Sequence, residues 1–185
     1  MEGSGVDPMA ASLAAGNERA FAALFDRFGR RLYRVAIGML GQREDAEDTV
    51  QEVFAAVLQA RQQLTDSQDL TAYLFTALRR AAGRCAARRA RSAVPSEAAV
   101  NGAAAPVGQR DDGESPYSQR LQRALLALPI EQREVIALKI DGGLTFVEIS
   151  KTLGVSANTA ASRYRYALEK LRRSIQPSPE DNDLG

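Results

Sequence analysis

Residues 92–116, "SAVPSEAAVNGAAAPVGQRDDGESP", constrain this chain more than any other stretch. They mix Ala, Gly, Pro and Ser with acids and hold few large apolar groups. Such a segment buries too little surface to offset the entropy of ordering it, so it reads as an acidic flexible linker. The 185 residues, enough for one ordinary domain or two small ones, divide at this segment. They are two pieces, each the size of a small domain.

Both pieces carry helical periodicity. From Asn17, apolar residues fall three and four apart at Phe21, Leu24, Phe25, Phe28, Leu32, Val35 and Met39, and Gly41 ends the run. "REDAEDTVQEVFAAVLQAR" repeats the pattern with Ala46, Val50, Val53, Phe54, Val57 and Leu58 inward. Its other face carries Glu44, Glu47, Asp48, Gln51 and Glu52. Acids in a first turn complement the helix dipole. Asp48, Gln51 and Glu52 continue past that turn and call for another reason. "TDSQD" reads as a loop. A third helix places Leu70, Leu74, Ala77, Leu78, Ala81 and Cys85 inward. Its second half holds Arg79, Arg80, Arg84, Arg88, Arg89 and Arg91 with no acid among them. That density exceeds what helix capping requires and favours contact with a polyanion.

Beyond the linker, Tyr117 to Leu128 reads as a helix, and Pro129 suits the first position of the next, which carries Val135, Ile136 and Ile140 and stops at Gly142-Gly143. Thr145 with Glu148 three residues on is a capping box. Phe146, Ile149 and Leu153 face inward, Gly154 permits a turn, and Ser156 caps the last helix. Ala160, Tyr164, Ala167, Leu168 and Leu171 then form one apolar stripe. The opposite face holds Thr159, Ser162, Tyr166 and Arg173, flanked by Arg163 and Arg165, with Asn158 beside Arg165. Helix, short Gly turn and helix make a helix-turn-helix. Hydroxyls near the N-terminal end can meet base edges, and Arg can meet phosphate or guanine. The fold class expected is all-α: two small helical domains joined by a flexible linker, the C-terminal one a helix-turn-helix. The boundaries are an arm at 1–15, domains at 16–91 and 117–175, the linker at 92–116, and a disordered tail at 176–185.

Composition removes other chemistries. No His is present, which excludes His bases, triads and metal sites. The one Cys, Cys85, forms no internal disulfide and reads as a small buried residue. No cofactor and no metal are called for, and nothing supports an enzyme. No apolar run spans a bilayer and the N-terminus lacks signal-peptide features, so a cytosolic protein is expected. The net charge of +1 hides alternating blocks. Residues 1–60 set six Arg against nine acids, and residues 61–91 set seven Arg against Asp66 and Asp69. Residues 117–173 set ten basic groups against five acids. Two basic blocks suit two contacts with one polyanion.

Taken in order, "GQREDAEDTVQEVF" and "LPIEQREVIALKIDGGLTFVEISKTLGVSANTAASRYRYALEKLRR" resemble the extracytoplasmic-function (ECF, group IV) sigma factors of the sigma-70 family. The resemblance covers about residues 16–91 and 117–175. It implies a sigma factor that binds core RNA polymerase and directs promoter recognition and transcription initiation, with an anti-sigma factor admitted as a further partner. It implies polymerase binding, at the clamp helices of the largest subunit, by Asp48, Val50, Gln51, Glu52 and Phe54. It implies minus-10 DNA binding by Tyr73, Arg79, Arg80, Arg84 and Arg88. It implies minus-35 DNA binding by Ser156, Asn158, Thr159, Ser162, Arg163 and Arg165. The linker would thread through the polymerase, where Asp111, Asp112 and Glu114 imitate RNA charge. The chain departs from the pattern where the family commonly has Trp, Asn and Asp in the minus-10 helix; Tyr73, Arg80 and Arg84 stand there. Ala161 stands for a common Lys. The alternative is a stand-alone helix-turn-helix regulator binding an operator, which leaves the acidic face of the second helix without a use.

Overall fold

The apolar period that starts near Asn17 forms α2, Glu18–Leu40, with the Asn17 side chain accepting from the backbone N–H of Arg19. Leu24, Phe28, Leu32, Val35 and Met39 are buried along it. Gly41 closes the helix at φ 75, a left-handed conformation that favours glycine. Its sister α3, Arg43–Ala60, buries Ala46, Thr49, Val50, Val53 and Val57 and runs into a 3-10 turn, Arg61–Gln63. The Arg-rich α4, Leu70–Ser92, completes a three-helix unit by packing on α2 and α3. Phe28 and Phe75 are fully buried at its centre. Each such side chain contributes about 1.5–3 kcal/mol over exposure.

The computed structural model describes residues 8–64, 69–92 and 116–175. Most of the linker, with Asp111, Asp112 and Glu114, lies outside the described residues, as do the 176–185 tail and most of "TDSQD". Residues 8–14, expected as part of an arm, form a short helix, α1, whose Ala10 and Leu13 are buried against α2 and the 3-10 turn.

In the C-terminal half, α5 (Pro116–Leu126) ends two residues before the expected Leu128. Pro129 is the N-cap of α6, Ile130–Ile136, rather than its first residue. Ala137–Asp141 then widens into a π turn, and the Gly142 N–H donates to the Ala137 carbonyl at 2.9 Å. The wider turn leaves Ile140 58% exposed, against the inward position expected of it. The helix-turn-helix follows as α7, Phe146–Leu153, and α8, Ala157–Ile175. Both hydrogen bonds of the Thr145–Glu148 capping box are formed, and Gly154 turns the chain at φ 67. Among the described residues there is no strand.

The two halves share one hydrophobic core, in which Val135, Ala137, Leu138, Leu144, Ile149 and Leu153 join the residues of α2 and α4. A smaller cluster of Ala124, Leu128, Ile136, Ala167 and Leu171 belongs to the C-terminal half alone. At the seam, Arg31 of α2 lies over the rings of Phe28 and Phe75 at 5.6 and 5.5 Å, and its Nε donates to the Gly142 carbonyl at 3.0 Å. Arg133 donates to the Met39 carbonyl at 3.3 Å. α7 packs directly on α4, and the π turn packs on α2.

Candidate polymerase and nucleic-acid interface

Three surfaces carry the expected site residues. The first is the outer side of α3. Asp48 and Gln51 are exposed there. Glu52 is half-buried because it turns towards α4. Val50 is 8% exposed and packs in the core, so it supports this surface from beneath and does not present on it. Phe54 is half-buried, its ring tilted against that of Phe25 with centroids 5.0 Å apart. Phe25 is 57% exposed and Leu58 46%, although both match the inward spacing of their helices. Acids and an aromatic–aliphatic patch thus sit side by side, a composition suited to a protein partner.

The second surface is the basic side of α4. Its arginines, read from sequence as lacking acidic partners, find several on other helices. Arg84 Nε donates to Glu52 Oε1 at 3.2 Å, Arg89 pairs with Asp45 at 3.4 Å, and Arg79 Nε pairs with Glu134 of α6 at 3.0 Å. The Arg84–Glu52 and Arg89–Asp45 pairs are partly exposed and stabilise by only about 0–1 kcal/mol, so a phosphate can replace the carboxylate at small cost; Glu134 is largely buried, so breaking its pair with Arg79 leaves an unpaired carboxylate in the interior and costs more. Arg80 and Arg88 are exposed. Glu52, Ala56, Tyr73, Thr76, Arg80 and Arg84 line one open groove between α3 and α4. The carboxylate expected to meet a protein and the cations expected to meet DNA therefore border the same groove. Tyr73 is half-buried at its wall.

The third surface is the start of α8. Ser156 Oγ accepts from the Thr159 N–H at 3.0 Å and shares a hydrogen bond with the Thr159 hydroxyl at 2.8 Å. Asn158, Thr159 and Arg165 are exposed, and Ser162 is half-buried with Arg165 Nη2 3.5 Å from its hydroxyl. Tyr166, 57% exposed, shares the outward arc with these residues; sequence reading placed it on that face without giving it a role. Arg163 is half-buried, and its charge acts on Glu134.

Burial moves three acidic groups of the chain away from their ordinary range. Burial pushes the Glu134 carboxyl above its ordinary range, opposed by the Arg79 guanidinium. Burial does the same to Asp141, opposed by Arg34. Cys85 is buried, and that burial, with the neighbouring Asp45, raises its thiol above the usual range; it is a packing residue. Among the described residues no cluster of His, Cys, Asp and Glu is arranged to hold a metal ion. None of the described helices is long and apolar enough to cross a membrane.

A three-helix unit with an acidic outer face and a basic groove, followed by a helix-turn-helix, is an arrangement suited to binding nucleic acid in two parts. Residues 24–92 match the family model for sigma-70 region 2, and residues 118–171 that for sigma-70 region 4. The chain is 30% identical over 183 residues to the ECF RNA polymerase sigma factor SigK of Mycobacterium tuberculosis, covering 95% of this chain and 96% of SigK. Among solved structures it is similar to CnrH, solved in complex with the cytosolic domain of CnrY (26% identity, 89% of this chain and 93% of that chain, TM-score 0.64). It also shares the fold of the sigma factor RpoE of Bartonella quintana, crystallised with the anti-sigma factor NepR (23% identity, 85% and 98%, TM-score 0.70). The chain belongs to the ECF RNA polymerase sigma factors of the sigma-70 family.

Proposed function

We propose that this chain binds core RNA polymerase and gives it promoter specificity, using α3 for the polymerase, the α4 side of the groove for the minus-10 element and the start of α8 for the minus-35 element. The observation that supports this best is the presence of both family regions, in order, in a chain alike over nearly its whole length to a named sigma factor. It favours the sigma reading over a stand-alone regulator, which needs no acidic docking face on α3.

In this proposal Asp48, Gln51 and Phe54, with Phe25 and Leu58 beside them, meet the largest subunit of the polymerase. Glu52 edges both that surface and the groove. Arg80, Arg84 and Arg88 track the backbone of the melted strand while Tyr73 offers a ring to an unpaired base. Asn158, Thr159, Ser162 and Arg165 face the duplex upstream, and the Ser156 cap fixes where that helix begins. The protein performs no chemistry itself; the polymerase does, in the cytosol. An anti-sigma factor completes the proposed partner set, because the neighbour CnrH was solved bound to a cytosolic protein domain.

The test is charge reversal at Asp48 and Glu52 followed by co-purification with core polymerase. The double variant should keep its helical circular dichroism and lose polymerase. Retention of polymerase by a folded double variant would remove α3 from the interface.

A further inference from the structure

The groove between α3 and α4, proposed above as the contact for the minus-10 element, has a volume of about 480 Å³. Sites for small ligands span about 300–1,000 Å³, so a base edge has room to enter. The groove is cationic at Arg80 and Arg84, aromatic at Tyr73, and acidic at Glu52, the one acid among its lining residues. A carboxylate repels phosphate. In a groove that takes DNA it weakens binding to every sequence, unless a hydrogen-bond donor on the DNA meets it.

Arg84 holds that carboxylate by one oxygen. Its Nε and Nη2 both donate to Glu52 Oε1, the Nε at 3.2 Å. Among the described residues nothing donates to Oε2, and an ionised carboxylate only accepts. On the major-groove edge of DNA the donors are the amines of cytosine N4 and adenine N6. Guanine and thymine present acceptors there, which a carboxylate repels. Arg84, which marks the Glu52 end of the groove, stands eleven residues along α4 from Tyr73. That is about 16 Å of helix, an interval of about five base pairs at 3.4 Å each. A pair at the Glu52 end is therefore distinct from the unpaired base proposed for Tyr73. We infer that Glu52 is a specificity-determining residue of this groove, whose Oε2 accepts from the major-groove amine of a cytosine or adenine at the end of the minus-10 element away from Tyr73. Arg84 positions the carboxylate. This contact rests on the reading of α4 given above. It discriminates by repelling guanine and thymine as much as by attracting the amine.

The test uses holoenzyme and a promoter from which it starts transcripts. Each cytosine and adenine of the minus-10 element, on both strands, is replaced singly by 2-pyrimidinone or 2-aminopurine. These analogues still pair with guanine and thymine but lack the major-groove amine. At one position the parent should bind the analogue about five- to tenfold more weakly. There Glu52→Gln, whose amide both donates and accepts, should respond by less than about twofold. Affinities are compared as a ratio between two DNAs at saturating polymerase, so a change in polymerase docking cancels. Arg84→Ala, which releases the carboxylate from its holder, should shrink the parent's ratio as well as weaken both DNAs. Equal responses of the parent and Glu52→Gln at every position would overturn the base contact and leave the sigma reading standing. A holoenzyme that starts from no promoter would overturn the sigma reading, and this contact with it.

Discussion

Glycine 142 is where the π turn meets the seam, and it offers a direct energetic test of the packing described above. A methyl group there would sit 2.6 Å from the Leu138 carbonyl oxygen, 2.9 Å from Leu144 Cδ1 and 3.2 Å from Val35 Cγ2. The first contact is with backbone, which cannot swing aside, and the third is with the other half of the molecule. Relieving such overpacking costs about 1–3 kcal/mol. Gly83 is the internal control. It lies inside α4, and a methyl there meets nothing within 4 Å. Alanine at an open helix-interior position stabilises by about 0.5–1 kcal/mol. For a chain of this length each kcal/mol shifts Tm by about 2–4 °C, so Gly142→Ala should lower Tm by about 2–12 °C and Gly83→Ala should raise it by about 1–4 °C. Thermal melting followed by circular dichroism reads both in one series. A Gly142→Ala protein as stable as the parent would refute the close approach of the π turn to α2.

Further outcomes follow from the same geometry. Thr145→Ala removes one half of the capping box at the start of α7 and should destabilise by about 1 kcal/mol, with Ser at that position restoring most of it, as read from urea midpoints. Asp141 has its carboxyl raised by burial, so the folded chain holds that proton more tightly than the unfolded chain. Its stabilising effect is therefore complete below the ordinary value of 3.8 and is lost as pH rises through the raised folded value. Asp141→Asn should accordingly be more stable than the parent at neutral pH and show a flatter acid-side profile in unfolding measured across that window. Arg165→Ala should weaken holoenzyme binding selectively at one base pair of the upstream element, by about 1–3 kcal/mol if the contact is bidentate. A uniform loss with a shallower salt slope would assign Arg165 to the phosphate backbone.

Local signals in the sequence predicted local structure well. Asn17, Gly41, the Thr145–Glu148 box, Gly154 and Ser156 each act within a few residues of themselves, and each helix boundary they mark is present. Partners supplied from afar were not legible. Arg84, Arg89 and Arg79 meet carboxylates 32, 44 and 55 positions away, so an arginine run without nearby acids looked uncompensated. Phe25, Leu58 and Ile140 have the same spacing as core residues, and periodicity cannot tell a core stripe from an apolar patch kept for a partner. Val50 shows the reverse. Its neighbours Asp48 and Gln51 are exposed, but its own angle on the helix turns it inward. The short α1 was missed because Leu13 and Met9 give too few apolar positions to establish a period. The seam itself depends on how two helical units meet, and neither unit's pattern encodes the other.

Transcript-start mapping tests the central claim most directly. Core RNA polymerase, with and without this protein, is given fragmented genomic DNA and the 5′ ends of the products are sequenced. The account predicts discrete starts that appear only with the protein and share two upstream elements, one near minus-10 and one near minus-35, with loss of either element abolishing the start. Sequence-specific binding to a palindromic operator in the absence of polymerase, with no new starts in its presence, would contradict it.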